Sequence, residues 1–239
     1  MFTQTSPRKL ARLTGLFFLL TILGGIVAQA FISQRLIDFH DAAATANNIL
    51  TNRGVFTLGF TVYLIEMACQ LTTATLLYQL LKPVNRTVAL LALLFELTGI
   101  GIKTFARVFY ITPLFVLGSS PATEAVLRGF TTEQLQSLAL TLLKVNDQGA
   151  AVALALFGFS TPLIGYLVFR SKFLPRWLGA LVMVAGLGWL TFLYPPLGYR
   201  VFMILAPIGL LSALVKIFWL LVFGVNEEKW NERAAQATP

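Results

Sequence analysis

Apolar segments long enough to cross a lipid bilayer recur along this chain, and they constrain its fold more than any other feature. Six can be delimited, at about residues 13–32, 54–81, 87–110, 149–169, 177–194 and 201–224. A transmembrane helix needs about 20 predominantly apolar residues. A soluble domain of 239 residues could not bury a composition that is 57% hydrophobic and only 12% charged. The sequence therefore predicts an all-α fold, a polytopic membrane bundle of six transmembrane helices.

The polar segments divide into two ends, short loops and two longer loops. Residues 1–12 form a basic lead and residues 225–239 a polar tail, on either side of one membrane domain at residues 13–224. Each longer loop contains a short amphipathic helix, which we place at the membrane surface. Asp41 can cap the first helix, over Ala42–Leu50, and Thr131 or Thr132 can cap the second, which ends before Asn146.

Lys and Arg are distributed unequally between the two sides of the predicted domain. Six spans place both termini on one side, which has ten of these residues against six on the other. The excess is greatest in the short loops near residues 82–86 and 170–176. Because cytoplasmic loops carry such an excess, the sequence predicts that both termini are cytoplasmic. The formal net charge of +8 is explained by this topology, so we expect a lipid bilayer as partner and no nucleic acid.

Ionisable side chains inside the predicted spans form the candidate site. In the third span Glu96, Lys103 and Arg107 fall within about 40° of one another on one helix face. Charged groups in hydrocarbon are costly unless they pair or face a wet cavity. The other polar members, from the second, fourth and sixth spans, are Glu66, Gln70, Asp147 and Lys216.

Depth in the bilayer suggests which of these side chains are neighbours. With each span centred in the membrane and a rise of about 1.5 Å per residue, three acidic residues match three basic ones in depth. The expected neighbours are Glu66–Lys103, Glu96–Lys216 and Arg107–Asp147. Two interpretations remain open. The pairs only fix the helix register, or they line a polar cavity that binds or transports a small polar or anionic ligand.

The first longer loop contains the only histidine, His40, beside Asp41 and close to Thr45. His and Asp are metal ligands, but a capped surface helix explains this segment better because no distant further ligand is evident. Cys69 is the only cysteine, which excludes an internal disulfide and a cysteine-bound cluster. We therefore expect no metal and no cofactor, and we keep His40, Asp41 and Thr45 as outer-loop candidates for a binding site.

Two other function classes stay open beside a binding or transport protein. The chain could be a structural or accessory subunit of a larger membrane complex, or a homo-oligomer, docking through the glycine-rich faces of its first and fifth spans. It could also be a membrane enzyme that acts on a lipid through carboxylates alone. The nucleophile-elbow, HExxH, CxxC, P-loop and dinucleotide motifs are absent, so we name no catalytic residue and favour the enzyme least.

Four stretches along the chain carry a family resemblance. They are the basic lead into LTGLFFLL, the HDAAATANNIL segment at His40–Leu50, the SKFLPRWLGALVMVAGLGWL segment at Ser171–Leu190, and FWLLVFGVN at Phe218–Asn226. Together they resemble the bacterial multi-pass membrane family known as domain of unknown function 4386. The resemblance implies a compact helical bundle in a prokaryotic inner membrane. It implies no activity and no catalytic residues.

Overall fold

A computed structural model of the chain describes residues 6–118 and 126–237, and this part of the chain is helical with no β-strand. The helices used below are α1 (Pro7–Ile26), α2 (Gln34–Leu36), α3 (Ala42–Thr51), α4 (Arg53–Leu81), α5 (Arg86–Ile111), α6 (Pro113–Leu117), α7 (Thr132–Arg170), α8 (Arg176–Trp189), α9 (Pro195–Val222) and α10 (Glu227–Ala237). A π-helical segment, Val27–Ser33, joins α1 to α2, and a 3₁₀ turn, Leu190–Leu193, follows α8.

Among the described residues, six helical segments are long and apolar enough to cross a membrane. They are Pro7–Leu36, Arg53–Leu81, Arg86–Leu117, Thr132–Arg170, Arg176–Leu193 and Pro195–Val222. Large apolar side chains such as Leu94, Val184 and Ile204 are exposed on these helices, as expected for surfaces that face lipid. The predicted all-α polytopic membrane fold is confirmed.

The chain forms two compact units, each assembled from segments that are distant in sequence. The first comprises Met1–Thr21, Ala68–Gly101 and Ala151–Pro239, and the second comprises Ile22–Met67 and Ile102–Ala150. Helices α4, α5 and α7 each contribute residues to both units.

The first unit is built around buried aliphatic side chains. Leu80 on α4, Leu167 on α7 and Leu178 on α8 are almost completely buried in its core. The polar tail packs against this core as helix α10, and Trp230 donates its indole N–H to the carbonyl oxygen of Leu80 at 2.9 Å. A buried indole needs such an acceptor, so this bond helps to hold α10 in place.

Glycines bring α7 and α8 into backbone contact within the first unit. A Cβ atom on Gly179 would lie 2.4 Å from the backbone nitrogen of Phe169. One on Gly165 would lie 2.6 Å from the backbone nitrogen of Met183. Both separations are too short for a real side chain, so only glycine permits this approach. These glycines of the fourth and fifth spans therefore serve packing inside the chain.

The second unit contains the predicted helix of the first longer loop. Asp41 caps α3 by accepting a hydrogen bond from the backbone N–H of Ala44 at 2.8 Å. Ile49 of α3 joins a buried core that also contains Phe56 of α4 and Leu143 of α7. The short helix and its cap are confirmed, and α3 lies against the core of this unit.

The second predicted surface helix and the fourth span are one continuous helix. Thr131 and Gln134 cap its start reciprocally, since each backbone N–H donates to the other side chain, at 2.9 and 3.3 Å. From there α7 runs for 39 residues, a length of about 58 Å. The expected break after Asn146 is absent because the polar residues there include no proline and are compatible with a helix. A separate surface helix in this loop was therefore the wrong expectation.

Candidate functional site

The second unit brings together polar side chains from several helical segments, of which four are buried, Asn146 is half-buried and Gln29 is exposed. The π-helical segment contributes Gln29 and Ser33, α4 contributes Tyr63, α5 contributes Arg107 and Tyr110, and α7 contributes Asn146. These six residues are called the tyrosine–arginine cluster. Ser33, Tyr63, Arg107 and Tyr110 are all at most 5% exposed. Because buried polar groups need partners, their hydrogen bonds determine what the cluster can do.

An ion pair joins α4 to α5 in the same unit. Lys103 donates from Nζ to Oε1 of Glu66 at 2.7 Å. The Glu66 side chain is 4% exposed and that of Lys103 19% exposed. A Cβ atom on Gly24 would lie 3.3 Å from the Glu66 Cβ, so glycine at this position in α1 leaves room for the acidic side chain. The structure thus brings together the two residues that were paired by depth.

The second oxygen of the Glu66 carboxylate is not hydrogen-bonded. Oε2 of Glu66 is buried and has no hydrogen-bond partner. An unpaired buried oxygen of this kind has lost its contact with water and gained no hydrogen bond in return. This desolvation costs about 1–3 kcal/mol for a neutral group and more for a charged one. Glu66 can therefore accept a further hydrogen bond from a donor that reaches it.

Arg107 is the most buried cation of the second unit, with 5% exposure. Its guanidinium carbon lies 3.6 Å from the centroid of the Tyr63 ring, which is a close cation–π contact. Nη1 donates to Oδ1 of Asn146 at 3.0 Å. Nε is buried and has no hydrogen-bond partner. The Tyr63 ring and the Asn146 amide hold the guanidinium in position, and its Nε donor stays available.

Hydroxyl groups continue the cluster on the other side of Tyr63. Tyr63 donates to Oε1 of Gln29 at 2.6 Å. Ser33 donates to the Tyr110 hydroxyl at 3.2 Å, and its oxygen is 3.1 Å from that of Tyr63. The Tyr110 ring is stacked on Phe56 with centroids 4.5 Å apart. These bonds fix the Tyr63 ring, and so they fix the surface on which the guanidinium rests.

Asp147 belongs to the same region, since its charge acts on Tyr63. Arg107 donates a hydrogen bond to the preceding residue, Asn146. Both residues lie on the continuous helix α7, so the side chains around the guanidinium include an amide that the sequence did not single out.

The remaining intramembrane candidates lie in the first unit. Glu96 accepts hydrogen bonds from Nε2 of Gln70, at 3.3 Å, and from the Ser160 hydroxyl. Lys216 forms no salt bridge with Glu96, and its ammonium lies 4.4 Å from the centroid of the Phe18 ring. The two charges still act on each other, while Glu96 is hydrogen-bonded by hydroxyl and amide donors and Lys216 lies over an aromatic ring. Depth matched the two residues, but depth does not specify the rotation of a helix about its axis.

The outer-loop candidates have structural roles in their own loop. Thr45 accepts a hydrogen bond from the backbone N–H of Asp38 at 2.9 Å and donates to its carbonyl at 2.8 Å. Asp41 is the cap of α3. The His40 side chain is 97% exposed and lies 3.4 Å from an oxygen of Asp38. Nowhere in residues 6–118 and 126–237 do three or more His, Cys, Asp or Glu side chains group as they would around a metal ion.

Four members of the tyrosine–arginine cluster are absent from the sequence prediction, namely Gln29, Ser33, Tyr110 and Asn146. Gln29 and Ser33 are ordinary polar residues near the end of an apolar run and give no pattern of their own. Asn146 was placed outside the spans, just after the predicted surface helix. In the second span Tyr63, Glu66 and Gln70 recur at three- and four-residue steps, and this polar stripe on an apolar helix is the one signal that points to Tyr63.

Comparisons with known proteins agree with the resemblance seen in the sequence. The family model described as "Domain of unknown function (DUF4386)" matches residues 13–224. A curated protein of Archaeoglobus fulgidus, named only "Uncharacterized protein", is 28% identical over 160 residues, which cover 64% of this chain and 75% of the relative. No solved structure matches.

Proposed function

The chain belongs to the DUF4386 family of unknown function, and we propose that it is a membrane protein that binds a small polar ligand through Arg107. The ligand presents an anionic group to the guanidinium and a hydrogen-bond donor to Glu66. One observation carries the proposal. Two oppositely charged buried side chains of the second unit, Arg107 and Glu66, each retain an atom without a hydrogen-bond partner.

A purely structural cluster would be expected to satisfy these atoms. Removing a charged group from water is costly, and folded proteins recover that cost through complete hydrogen bonding. Nη1 of Arg107 and Oε1 of Glu66 are paired, whereas Nε and Oε2 are not. A ligand with one acceptor and one donor would complete both groups at once.

The residues around Arg107 favour a carboxylate or phosphate as the anionic part. A guanidinium binds planar oxyanions well because its N–H groups form a fixed fork. The Tyr63 ring orients that fork from one face. Lys103, beside Glu66, adds a second positive charge that is not fully buried. A compound with a carboxylate or phosphate and an amino or hydroxyl group fits this arrangement.

The excess of Lys and Arg near the termini supports a definite orientation. In our proposal both termini lie in the cytoplasm of a bacterium, and the protein spans its inner membrane. Residues 37–52 and 126–131 then lie on the opposite side, and the ligand reaches the second unit from there.

Thermal unfolding of the detergent-purified protein tests the proposal. Wild type, Arg107→Met and the control Arg200→Met, which removes an exposed arginine, are heated with a panel of carboxylates, phosphates and amino acids. At a ligand concentration of about 100 times Kd the stabilisation is about 2.7 kcal/mol. For a protein of this size that raises Tm by roughly 5–10 °C.

We expect one chemical class to raise the Tm of wild type and of Arg200→Met but not that of Arg107→Met. If no compound shifts the wild type, or if the shift survives in Arg107→Met, Arg107 is not part of a ligand site. A variant that unfolds early without ligand is replaced by Arg107→Lys, which keeps the charge but loses the planar fork.

A further inference from the structure

A polar concavity lies in the first unit, where the loop after α7 meets the helical tail. Its volume is about 360 Å³, which is within the usual range for small-molecule sites. The pocket is lined by one carboxylate and by four basic side chains, which are Lys172, Arg176, Lys229 and Arg233. We call these four residues, with Glu232, the basic pocket. Leu174 and Gln236 complete its lining.

The backbone around the basic pocket is fixed by hydrogen bonds. Asn226 donates its backbone N–H to the carbonyl of Phe173 at 3.1 Å, and its side chain caps α10 by accepting from the N–H of Lys229 at 3.0 Å. The Ser171 hydroxyl accepts from the N–H of Leu174 at 3.1 Å. The loop and α10 therefore hold the basic side chains together before any ligand arrives.

One cation of the pocket has an unused donor. Arg233 donates through Nη2 to the carbonyl of Arg170 at 3.4 Å, but its Nε is buried and has no hydrogen-bond partner. Arg176 is the first residue of α8, where unpaired backbone N–H groups and the helix dipole also favour an anion. The four positive charges of the pocket repel one another, and the carboxylate of Glu232 can neutralise only one of them. An anion with several acceptor oxygens would satisfy this set.

The aromatic residues next to the pocket match the depth of lipid headgroups. Trp177 follows Arg176, is 52% exposed, and packs edge-on against Trp219 with ring centroids 5.6 Å apart. Exposed tryptophans are enriched where a transmembrane helix passes the interface between lipid tails and water. Basic pockets at the ends of such helices bind the headgroups of anionic lipids.

We propose that the basic pocket binds a phosphate-bearing anion, and that its source is the headgroup of an anionic phospholipid. The phosphate oxygens accept from Arg233, Arg176 and the two lysines, and the acyl chains extend along the exposed apolar surface beside Trp177. This site is independent of the ligand site at Arg107.

The test measures lipid binding to the purified protein by native mass spectrometry. Phosphatidylglycerol is titrated against phosphatidylcholine, and inorganic phosphate is titrated in a separate arm. The variants are Lys229→Gln with Arg233→Gln, and the matched control Lys82→Gln with Arg86→Gln, which removes two exposed cations from another loop. Lys229→Gln alone is included because the side chain is exposed, and substitutions of exposed side chains usually change stability by less than about 0.5 kcal/mol. Glu232→Gln removes the one negative charge.

We expect wild type to bind one phosphatidylglycerol more tightly than phosphatidylcholine. The pocket double variant should weaken that binding about 10- to 30-fold, Lys229→Gln about 5-fold, and the control less than about 3-fold, while Glu232→Gln strengthens it. Equal losses in the two double variants, or no preference for phosphatidylglycerol or phosphate over phosphatidylcholine, would overturn the proposal. Pocket-dependent binding of inorganic phosphate without a lipid preference supports the phosphate site and assigns its source to solution.

Discussion

The Glu66–Lys103 pair allows a quantitative prediction. In Lys103→Met, a carboxylate that is 4% exposed loses its partner at 2.7 Å while its second oxygen already has none. Removing one member of a buried pair typically costs about 3–5 kcal/mol. Glu66→Gln should cost less, about 1–3 kcal/mol, because the Lys103 side chain is 19% exposed and its ammonium can reach water.

The double variant separates the interaction from the side effects of each change. Met and Gln leave no uncompensated charge, so the double variant should be more stable than Lys103→Met alone. We expect a coupling free energy of at least about 2 kcal/mol. Unfolding of each variant by SDS in mixed micelles gives the four free energies of this cycle.

An exposed contact between a histidine and a carboxylate of the same chain supplies the control. His40 and Asp38 are 3.4 Å apart, with side chains that are 97% and 55% exposed. The same cycle with His40→Gln and Asp38→Asn should give a coupling below about 0.5 kcal/mol. If the coupling of Glu66 with Lys103 were as small, burial would not strengthen their interaction, and our reasoning about the charged side chains would be refuted.

Three further predictions concern packing and capping. Gly179→Ala should destabilise by about 3 kcal/mol in the same unfolding assay, because its Cβ would strike a backbone nitrogen, whereas Gly101→Ala, which meets open space, should be neutral or slightly stabilising. Asp41→Ala should cost about 1 kcal/mol through loss of the α3 cap, and His40→Ala should change stability by less than about 0.5 kcal/mol. Trp230→Phe should cost about 1 kcal/mol and speed tryptic cleavage in α10, since the bond from α10 to α4 is lost; unchanged cleavage would contradict that role.

The fold could be predicted from the sequence because the thickness of the bilayer sets the length of a spanning helix, so each apolar stretch of that length can be identified as a span. Six apolar stretches gave six spans, and Asp41 gave the cap of α3 because capping depends on residues close in sequence. The extent of α7 was missed. Its first half is amphipathic and its second half apolar, and that change of pattern was taken for a change of element although the helix continues.

For the candidate site, the sequence could predict how deep each side chain lies in the membrane but not which neighbours it contacts. Depth along a helix follows from residue number, and it identified Glu66 with Lys103. It also matched Glu96 with Lys216, whose charges act on each other, but it did not give the groups that each contacts, because these depend on tertiary packing. The hydroxyl and amide groups around Arg107 were missed for a related reason. Uncharged polar residues such as Ser33 and Gln29 are tolerated on many helix faces and so leave no pattern.

The pairing of Glu66 with Lys103 also affects how the protein enters its membrane during synthesis. A charged residue near the centre of a single helix disfavours insertion by roughly 2.5–3.5 kcal/mol. Helices α4 and α5 are consecutive and are separated only by residues 82–85. If they leave the translocon as one hairpin, the acid and the base neutralise each other before either meets lipid. The ribosome must then complete α5 before α4 can be released, so this pair sets the order of membrane integration.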